Sequence, residues 1–97
     1  MPPYVLLINF TDQGIRNVKD SPQRRDAAAA LAEQMGAKFK EVYWTLGSYD
    51  LVTIVEAPDD ETVTAFALAA GSQGNIRTTT LRAFDQEQFQ QILNKTP

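Results

Sequence analysis

The sequence contains no cysteine and no histidine in its 97 residues. Without cysteine there can be no disulfide bond and no thiolate nucleophile, and without histidine there can be no serine–histidine or cysteine–histidine catalytic pair. The two absences also remove the usual ligands of structural zinc and the proximal histidine of haem. We therefore expect no metal and no other cofactor.

Basic residues are also fewer than acidic ones. Nine lysines and arginines stand against twelve aspartates and glutamates, a net charge of −3, and the basic residues are not clustered with aromatic ones. A nucleic-acid partner is therefore not expected. The apolar run from Val5 to Ile8 is too short for a signal peptide or a membrane span. We accordingly expect a cytoplasmic protein with no membrane partner.

The length and composition indicate one domain spanning residues 1–97. With 43% hydrophobic residues, the chain can bury one modest core but cannot hold both a dinucleotide-binding half and a substrate half. Four segments have the apolar or alternating pattern of β-strands: residues 4–10, 38–46, 49–57 and 75–84. The first is apolar almost without interruption, which is typical of a central strand. A short connection at Gly47 and Ser48 predicts an antiparallel hairpin between the second and third strands.

Helix signals separate these strands. Ser21 followed by Pro22 predicts the start of a helix that runs to about Met35 and is closed by Gly36. Asp59 is the expected N-cap of a second helix. Asp85, with a glutamine three residues on, predicts a capping box and a third, terminal helix. Residues 11–14 are expected to form a turn, followed by one short helical turn.

The order of elements predicts a ferredoxin-like α+β fold, βαββαβ, with a four-stranded antiparallel sheet and an additional C-terminal helix. Right-handed crossovers place both main helices on one face of the sheet. Apolar residues nevertheless occupy both faces of the first strand, with Leu6 and Ile8 on one face and Val5 and Leu7 on the other. The sequence therefore predicts a homodimer, or a higher homo-oligomer, formed through the open sheet face. The face of each third-strand residue stays open at this point.

A family likeness runs through most of the chain. It is carried by four segments: FTDQGI at 10–15, YWTLGSYDLV at 43–52, VEAPDDE at 55–61 and GNIRTTTLRAF at 74–84. These segments resemble the GYD domain family, whose glycine, tyrosine and aspartate correspond to Gly47, Tyr49 and Asp50. The resemblance implies a ferredoxin-like fold of the dimeric α/β-barrel type in small bacterial or archaeal proteins. It brings no established reaction.

Four residues are candidates for binding a ligand: Arg16, Trp44, Tyr49 and Asp50. Asp50 could act as a base if burial raised its pKa, or it could accept backbone N–H bonds at a turn while Tyr49 packs at an interface. Arg16 follows the carboxyl end of the first strand and could pair with a carboxylate or phosphate, or lie in a solvated loop. Trp44 could stack on a substrate, or anchor an interface together with Tyr43.

Three functions are compatible with these features, and the sequence leaves open whether the protein is an enzyme. It favours a homo-oligomeric binding or interaction module without its own catalysis. The second possibility is a cofactor-independent oxygenase or isomerase acting on a small polar aromatic or lactone-like substrate. The third is a sensor that binds a small anion at a subunit seam. The carboxylates Asp59, Asp60 and Glu61 invite a metal, but complementarity to a helix dipole explains them, and no metal site is predicted.

Overall fold

The computed structural model describes all residues, 1–97. The strands are β1 (Pro3–Phe10), β2 (Lys38–Trp44), β3 (Leu51–Glu56) and β4 (Ile76–Arg82). The helices are α1 (Asp12–Arg16), α2 (Ser21–Gln34), α3 (Asp60–Gly71) and α4 (Gln86–Asn94), with a 3-10 turn at Val18–Asp20. All strand neighbours are antiparallel in the order β2-β3-β1-β4. The predicted ferredoxin-like α+β fold is confirmed, with β1 in the interior of the sheet.

One face of the sheet is covered by α2 and α3. Because Leu6 pairs with Thr53 on one side and with Thr80 on the other, the strand registers fix which side chains share this face. α2 packs against β2, and α3 packs against β4. The core lies between these two layers and contains ten buried hydrophobic residues: Tyr4, Leu6, Ile8, Ala32, Ala37, Leu51, Val55, Ala57, Val63 and Phe66.

The connection between β2 and β3 differs from the predicted tight hairpin. β2 ends at Trp44 and β3 begins at Leu51, so six residues join the strands rather than two. The backbone of Asp50 explains the difference, because its N–H donates to the carbonyl of Ile8 in β1 and its carbonyl accepts from the N–H of Thr45. These bonds hold the segment in a wider loop.

The segment after β1 also differs from the prediction. Helix α1 begins at Asp12, where a turn was expected, because the side chain of Thr11 caps it by accepting from the N–H of Gly14. The end of α2 agrees with the sequence signals, whereas its start lies one residue earlier than predicted, because Ser21 is the first helical residue and Asp20 occupies the N-cap position. Gly36, with φ of 82°, follows the C-cap of α2, a left-handed conformation that glycine adopts without strain.

Helix α4 makes few contacts with the rest of the molecule. The predicted capping box is present, with the side chains of Asp85 and Gln88 each accepting from the other's backbone N–H. The radius of gyration is 14.5 Å, whereas a compact domain of this length has about 12.5 Å. The accessible surface is 6502 Å², against roughly 5,500 Å² expected for this mass. The isolated chain therefore leaves more surface exposed than a closed monomer would.

Candidate functional site

Three of the four predicted site residues lie at one end of the sheet, where β1 and β2 end and β3 and β4 begin. Trp44 is the last residue of β2, and Tyr49 and Asp50 directly precede β3. Arg16 lies in the last turn of α1, which follows β1, and its side chain is exposed. None of the hydrogen bonds or ion pairs joins Arg16 to the other three, so the structure does not assemble all four into one constellation.

Asp50 uses its carboxylate to hold the backbone. Its Oδ2 accepts from the N–H of Phe10 at 2.9 Å, and its own N–H donates to the carbonyl of Ile8 at 2.8 Å. The two bonds fasten the loop before β3 to the last residues of β1. Tyr49 contributes its carbonyl, which accepts from the hydroxyl of Thr45 at 2.6 Å, while its side chain is partly exposed. This geometry matches the backbone-acceptor alternative for Asp50.

Trp44 and Tyr43 lie on opposite faces of β2. The indole N–H of Trp44 donates to the hydroxyl oxygen of Ser21 at 3.0 Å, which ties the end of β2 to the start of α2. Tyr43 lies on the sheet face opposite α2 and α3, where its hydroxyl donates to Oε2 of Glu41 at 2.9 Å. That hydrogen bond raises the pKa of Tyr43. Of the two aromatic residues, Tyr43 is therefore the one available to a partner on that face.

The polar segment after β1 is interlocked with the loop before β4. Thr11 donates its backbone N–H to the carbonyl of Asn75 at 3.0 Å and its hydroxyl to the carbonyl of Gly74 at 2.6 Å. Gln13 donates its side-chain amide to Asn75 Oδ1 at 3.0 Å. Gly14 lies against the same backbone, since a Cβ there would be 1.9 Å from the carbonyl oxygen of Asn75. This end of the sheet is held by a dense set of polar contacts.

The acidic residues at the start of α3 serve the helix and β1. Asp59 caps the helix by accepting from the N–H of Thr62 at 2.8 Å, and the bonds from Thr62 lower the pKa of Asp59. Asp60 accepts from the hydroxyl of Tyr4 at 2.5 Å. Burial and this hydrogen bond raise the pKa of Tyr4 to about 12. No three acidic residues converge as metal ligands.

Sequence reasoning missed two features of the helix-covered side. The pair Tyr4–Asp60 gave no local signal, because its members are 56 residues apart. Arg24 did give a signal: Ala27, Ala28 and Leu31 follow it at helical spacings of three, four and seven, which places a cation on the apolar face of α2. Its guanidinium donates to the carbonyls of Asn17 and Gly14.

The sheet face opposite α2 and α3 carries a group of apolar residues. Strand register places Val5 beside Ile54 and Leu81, and Leu7 beside Val52. We call this surface the open face; its apolar residues are Val5, Leu7, Tyr43, Val52, Ile54 and Leu81. No helix of the chain covers them. The interior members are only partly buried, while Tyr43 and Leu81 are 58% and 45% exposed.

Polar and charged residues flank the open face at both ends. Lys38 and Glu56 lie at one end, Asn9 and Arg77 lie at the other, and Glu41 lies beside Ile54 on the edge strand β2. An apolar centre with a polar, charged rim is the usual anatomy of a protein–protein interface. Charges of both signs allow two copies of the same surface to oppose unlike charges.

Helix α4 presents a second apolar surface. Phe89, Ile92 and Leu93 recur at spacings of three and four on one side of the helix, and Phe84 precedes it. All four are exposed, with Phe89 at 52%. An amphipathic helix gains little stability alone in water, so we expect this apolar stripe to pack against a partner surface. None of the helices is both long and apolar enough to cross a membrane.

Comparison with known proteins agrees with this architecture. The model of the GYD domain matches residues 4–93. A glutamine synthetase and cystathionine beta-lyase binding protein from Thermus thermophilus is 34% identical over 84 residues, covering 86% of this chain and 88% of the relative.

Two solved structures share the fold. TTHA0845 from Thermus thermophilus is 26% identical, with a TM-score of 0.57 over 88% of this chain and 95% of that one. A feast or famine regulatory protein from M. tuberculosis, complexed with L-methionine, is 16% identical, with a TM-score of 0.59 over 89% of this chain and 52% of the regulator. The second likeness concerns the fold alone. On the match across nearly its whole length, this chain belongs to the GYD domain family.

Proposed function

We propose that the protein is a homo-oligomeric binding module without catalysis of its own, in which two copies pair through their open faces. The observation that carries the proposal is the uncovered apolar centre of the sheet. Val5 and Leu7 lie on a strand with neighbours on both sides, yet one side of that strand has no cover within the chain. Closed two-fold pairing is the commonest way in which soluble proteins cover such a surface.

The size of the exposed surface supports pairing. The accessible area exceeds the roughly 5,500 Å² expected for a monomer of this mass by about 1,000 Å². A standard interface buries about 800 Å² per partner, so the excess is of the right order for one interface. Helix α4 contributes to the same excess, and its stripe of Phe89, Ile92 and Leu93 would gain a cover in an assembly.

The relative from Thermus thermophilus supports the binding role. Its name describes a protein that binds glutamine synthetase and cystathionine beta-lyase, and its identity of 34% to this chain extends over 86% of the sequence. A role in binding another protein needs exposed apolar anchors rather than a catalytic pair. The chain offers such anchors on two surfaces and has no histidine or cysteine.

The enzymatic alternative has less support. In it, Asp50 would act as a base and a substrate ring would stack on the indole of Trp44. Tyr49 and Arg16 would also contact the substrate. Asp50 already binds the N–H of Phe10, and the Trp44 indole already binds Ser21. A small-anion sensor would rely on Arg16, which is exposed at the end of α1.

The experiment is sedimentation velocity on two lysine variants. Leu7→Lys places a charge at the centre of the open face, and Thr64→Lys places the same charge on the exposed side of α3. An unpaired charge in a buried interface costs about 3–5 kcal/mol, so Leu7→Lys should weaken pairing by about two orders of magnitude or more. Thr64→Lys should sediment as the unmodified protein does. Equal association of both variants would contradict the proposal.

A further inference from the structure

A cleft separates α2 from α3 on the helix-covered side of the sheet. Its volume is about 350 Å³, within the range of about 300–1,000 Å³ typical of small-molecule sites. A smaller cavity of about 60 Å³ continues beneath it, and the two share Arg24, Ala28, Ala70 and Ile76. We call the two together the α2–α3 cleft. Its apolar walls and floor include Ala27, Ala28, Leu31, Ala69, Ala70 and Ile76.

An empty cavity is unusual at the inner end of this cleft. The inner cavity lies in the layer between helices and sheet, where folded proteins are normally close-packed with few voids larger than a water molecule. Phe10, Phe39 and Phe66 line it, so water gains few hydrogen bonds there. Apolar cavities lined in this way accept small apolar molecules. An organic ligand with an apolar body is the matching occupant.

Arg24 supplies the one charged group common to both parts of the cleft. Two of its N–H groups hold it in place, donating to the carbonyl of Asn17 at 2.9 Å and to that of Gly14 at 3.3 Å. Arginine has five N–H donors, which leaves three for other acceptors. No carboxylate lies within 4.0 Å of its nitrogens, since the only ion pair in the chain joins Arg25 to Asp26. Asp20, on an adjoining outer depression, is beyond that range.

A buried hydroxyl adds a second polar group. Ser21 lines the inner cavity, is 5% exposed, and accepts from the indole of Trp44, which leaves its own O–H as a donor. The cleft therefore combines apolar walls, a fixed cation without an anionic partner, and a hydroxyl donor. The apolar walls favour an apolar body, and the cation with the hydroxyl donor favours an anionic group attached to it.

We propose that the α2–α3 cleft binds a small organic monocarboxylate, with its apolar body between the two helices and its carboxylate against Arg24. The site lies on the opposite side of the sheet from the open face, so ligand binding and self-association are separate properties of the chain. None of the residues Arg16, Tyr49 and Asp50 lines this cleft.

The test uses the full chain, labelled with ¹⁵N, and two probes of equal shape: 3-phenylpropionate and its neutral counterpart 3-phenylpropan-1-ol. We expect the acid to shift the amide signals of Ala28, Ala70 and Ile76 and to bind about tenfold more tightly than the alcohol, the value of one charge-assisted hydrogen bond. Arg24→Gln should abolish that preference. Lys19→Gln, at an exposed position that lines neither part of the cleft, should keep it.

A cavity-filling variant tests the site without removing the charge. Ala70→Leu occupies the space shared by both parts of the cleft and should weaken both probes about equally. The preference of the unmodified chain for the acid tests the charge without any substitution, so the proposal stays testable even if Arg24→Gln does not fold. Three results would overturn it: no binding of either probe at millimolar concentration, no preference for the acid, or shifts confined to the open face.

Discussion

The hydroxyl of Tyr4 donates to Oδ1 of Asp60 across 2.5 Å and joins the start of β1 to the first turn of α3. Tyr4 is 2% exposed, and its ring also lies beside the guanidinium of Arg82, with 5.6 Å between the Arg82 Cζ and the ring centroid. The neutral phenol is the form that this environment favours, because burial and the Asp60 carboxylate both oppose a phenolate. The ionisation state of Tyr4 therefore affects the stability of the fold.

The first prediction concerns alkaline stability. The pKa of Tyr4 is raised from 10.0 to about 12 in the folded protein, so the folded state binds the phenolic proton more tightly than the unfolded state does. The resulting stabilisation is complete below pH 10 and is lost as the pH rises from 10 to 12. Tyr4→Phe should remove this pH-dependent part. Urea unfolding at pH 8 to 12 should show the two proteins converging above pH 10.

The control for that experiment is Tyr49→Phe. Tyr49 has a 36% exposed side chain and lies in the loop before β3. Its substitution also removes one phenol from the chain, so an effect specific to Tyr4 can be separated from the loss of any tyrosine. A Tyr4→Phe protein whose stability falls as steeply as that of the unmodified chain would contradict the assignment.

The second prediction concerns Gly14. An alanine Cβ would lie 1.9 Å from the carbonyl oxygen of Asn75, which is held in place because it accepts from the backbone N–H of Thr11. Gly14→Ala should therefore lower the free energy of unfolding by about 3 kcal/mol or more. Gly71→Ala is the matched control, because its Cβ would meet nothing closer than 3.9 Å. Thermal unfolding should show a large loss for the first variant and none for the second.

The third prediction separates two roles of Asp50. Asp50→Ala leaves the N–H of Phe10 without its acceptor and should cost about 1–3 kcal/mol of stability. Asp50→Asn keeps an oxygen in the same place and should cost distinctly less. Chemical denaturation of both variants gives the comparison. If both variants lose little stability, the hydrogen bond from the Phe10 N–H to the Asp50 carboxylate does not stabilise the fold, and the alternative role of Asp50 at a ligand site is favoured.

Local signals in the sequence determine most of the fold. Capping residues such as Asp59 and Asp85 act within one helical turn, so the helix starts that they predict are present. The wide loop before β3 could not be foreseen, because it depends on bonds from Asp50 to β1, 40 residues away. The same holds for Trp44, whose side of the sheet depends on register and on Ser21. Contacts between distant residues are what local patterns leave out.

The open face was only partly predictable from the sequence. Apolar residues on both faces of β1 predict that one face lacks a cover, which the positions of α2 and α3 confirm. Which third-strand residues share that face became clear only from the register, which places Val52 and Ile54 there and Leu51 and Val55 in the core. The α2–α3 cleft depends on the separation of two helices, a quantity that no pattern in either helix contains.

The most direct test of the account is the molar mass of the unmodified protein in solution. One chain has a mass of 10.8 kDa. Light scattering coupled to size exclusion, repeated over a range of micromolar concentrations, should give twice that mass or a larger even multiple. A mass of one chain throughout that range would mean that the apolar centre around Val5 and Leu7 stays in water, and pairing through the open face would be contradicted.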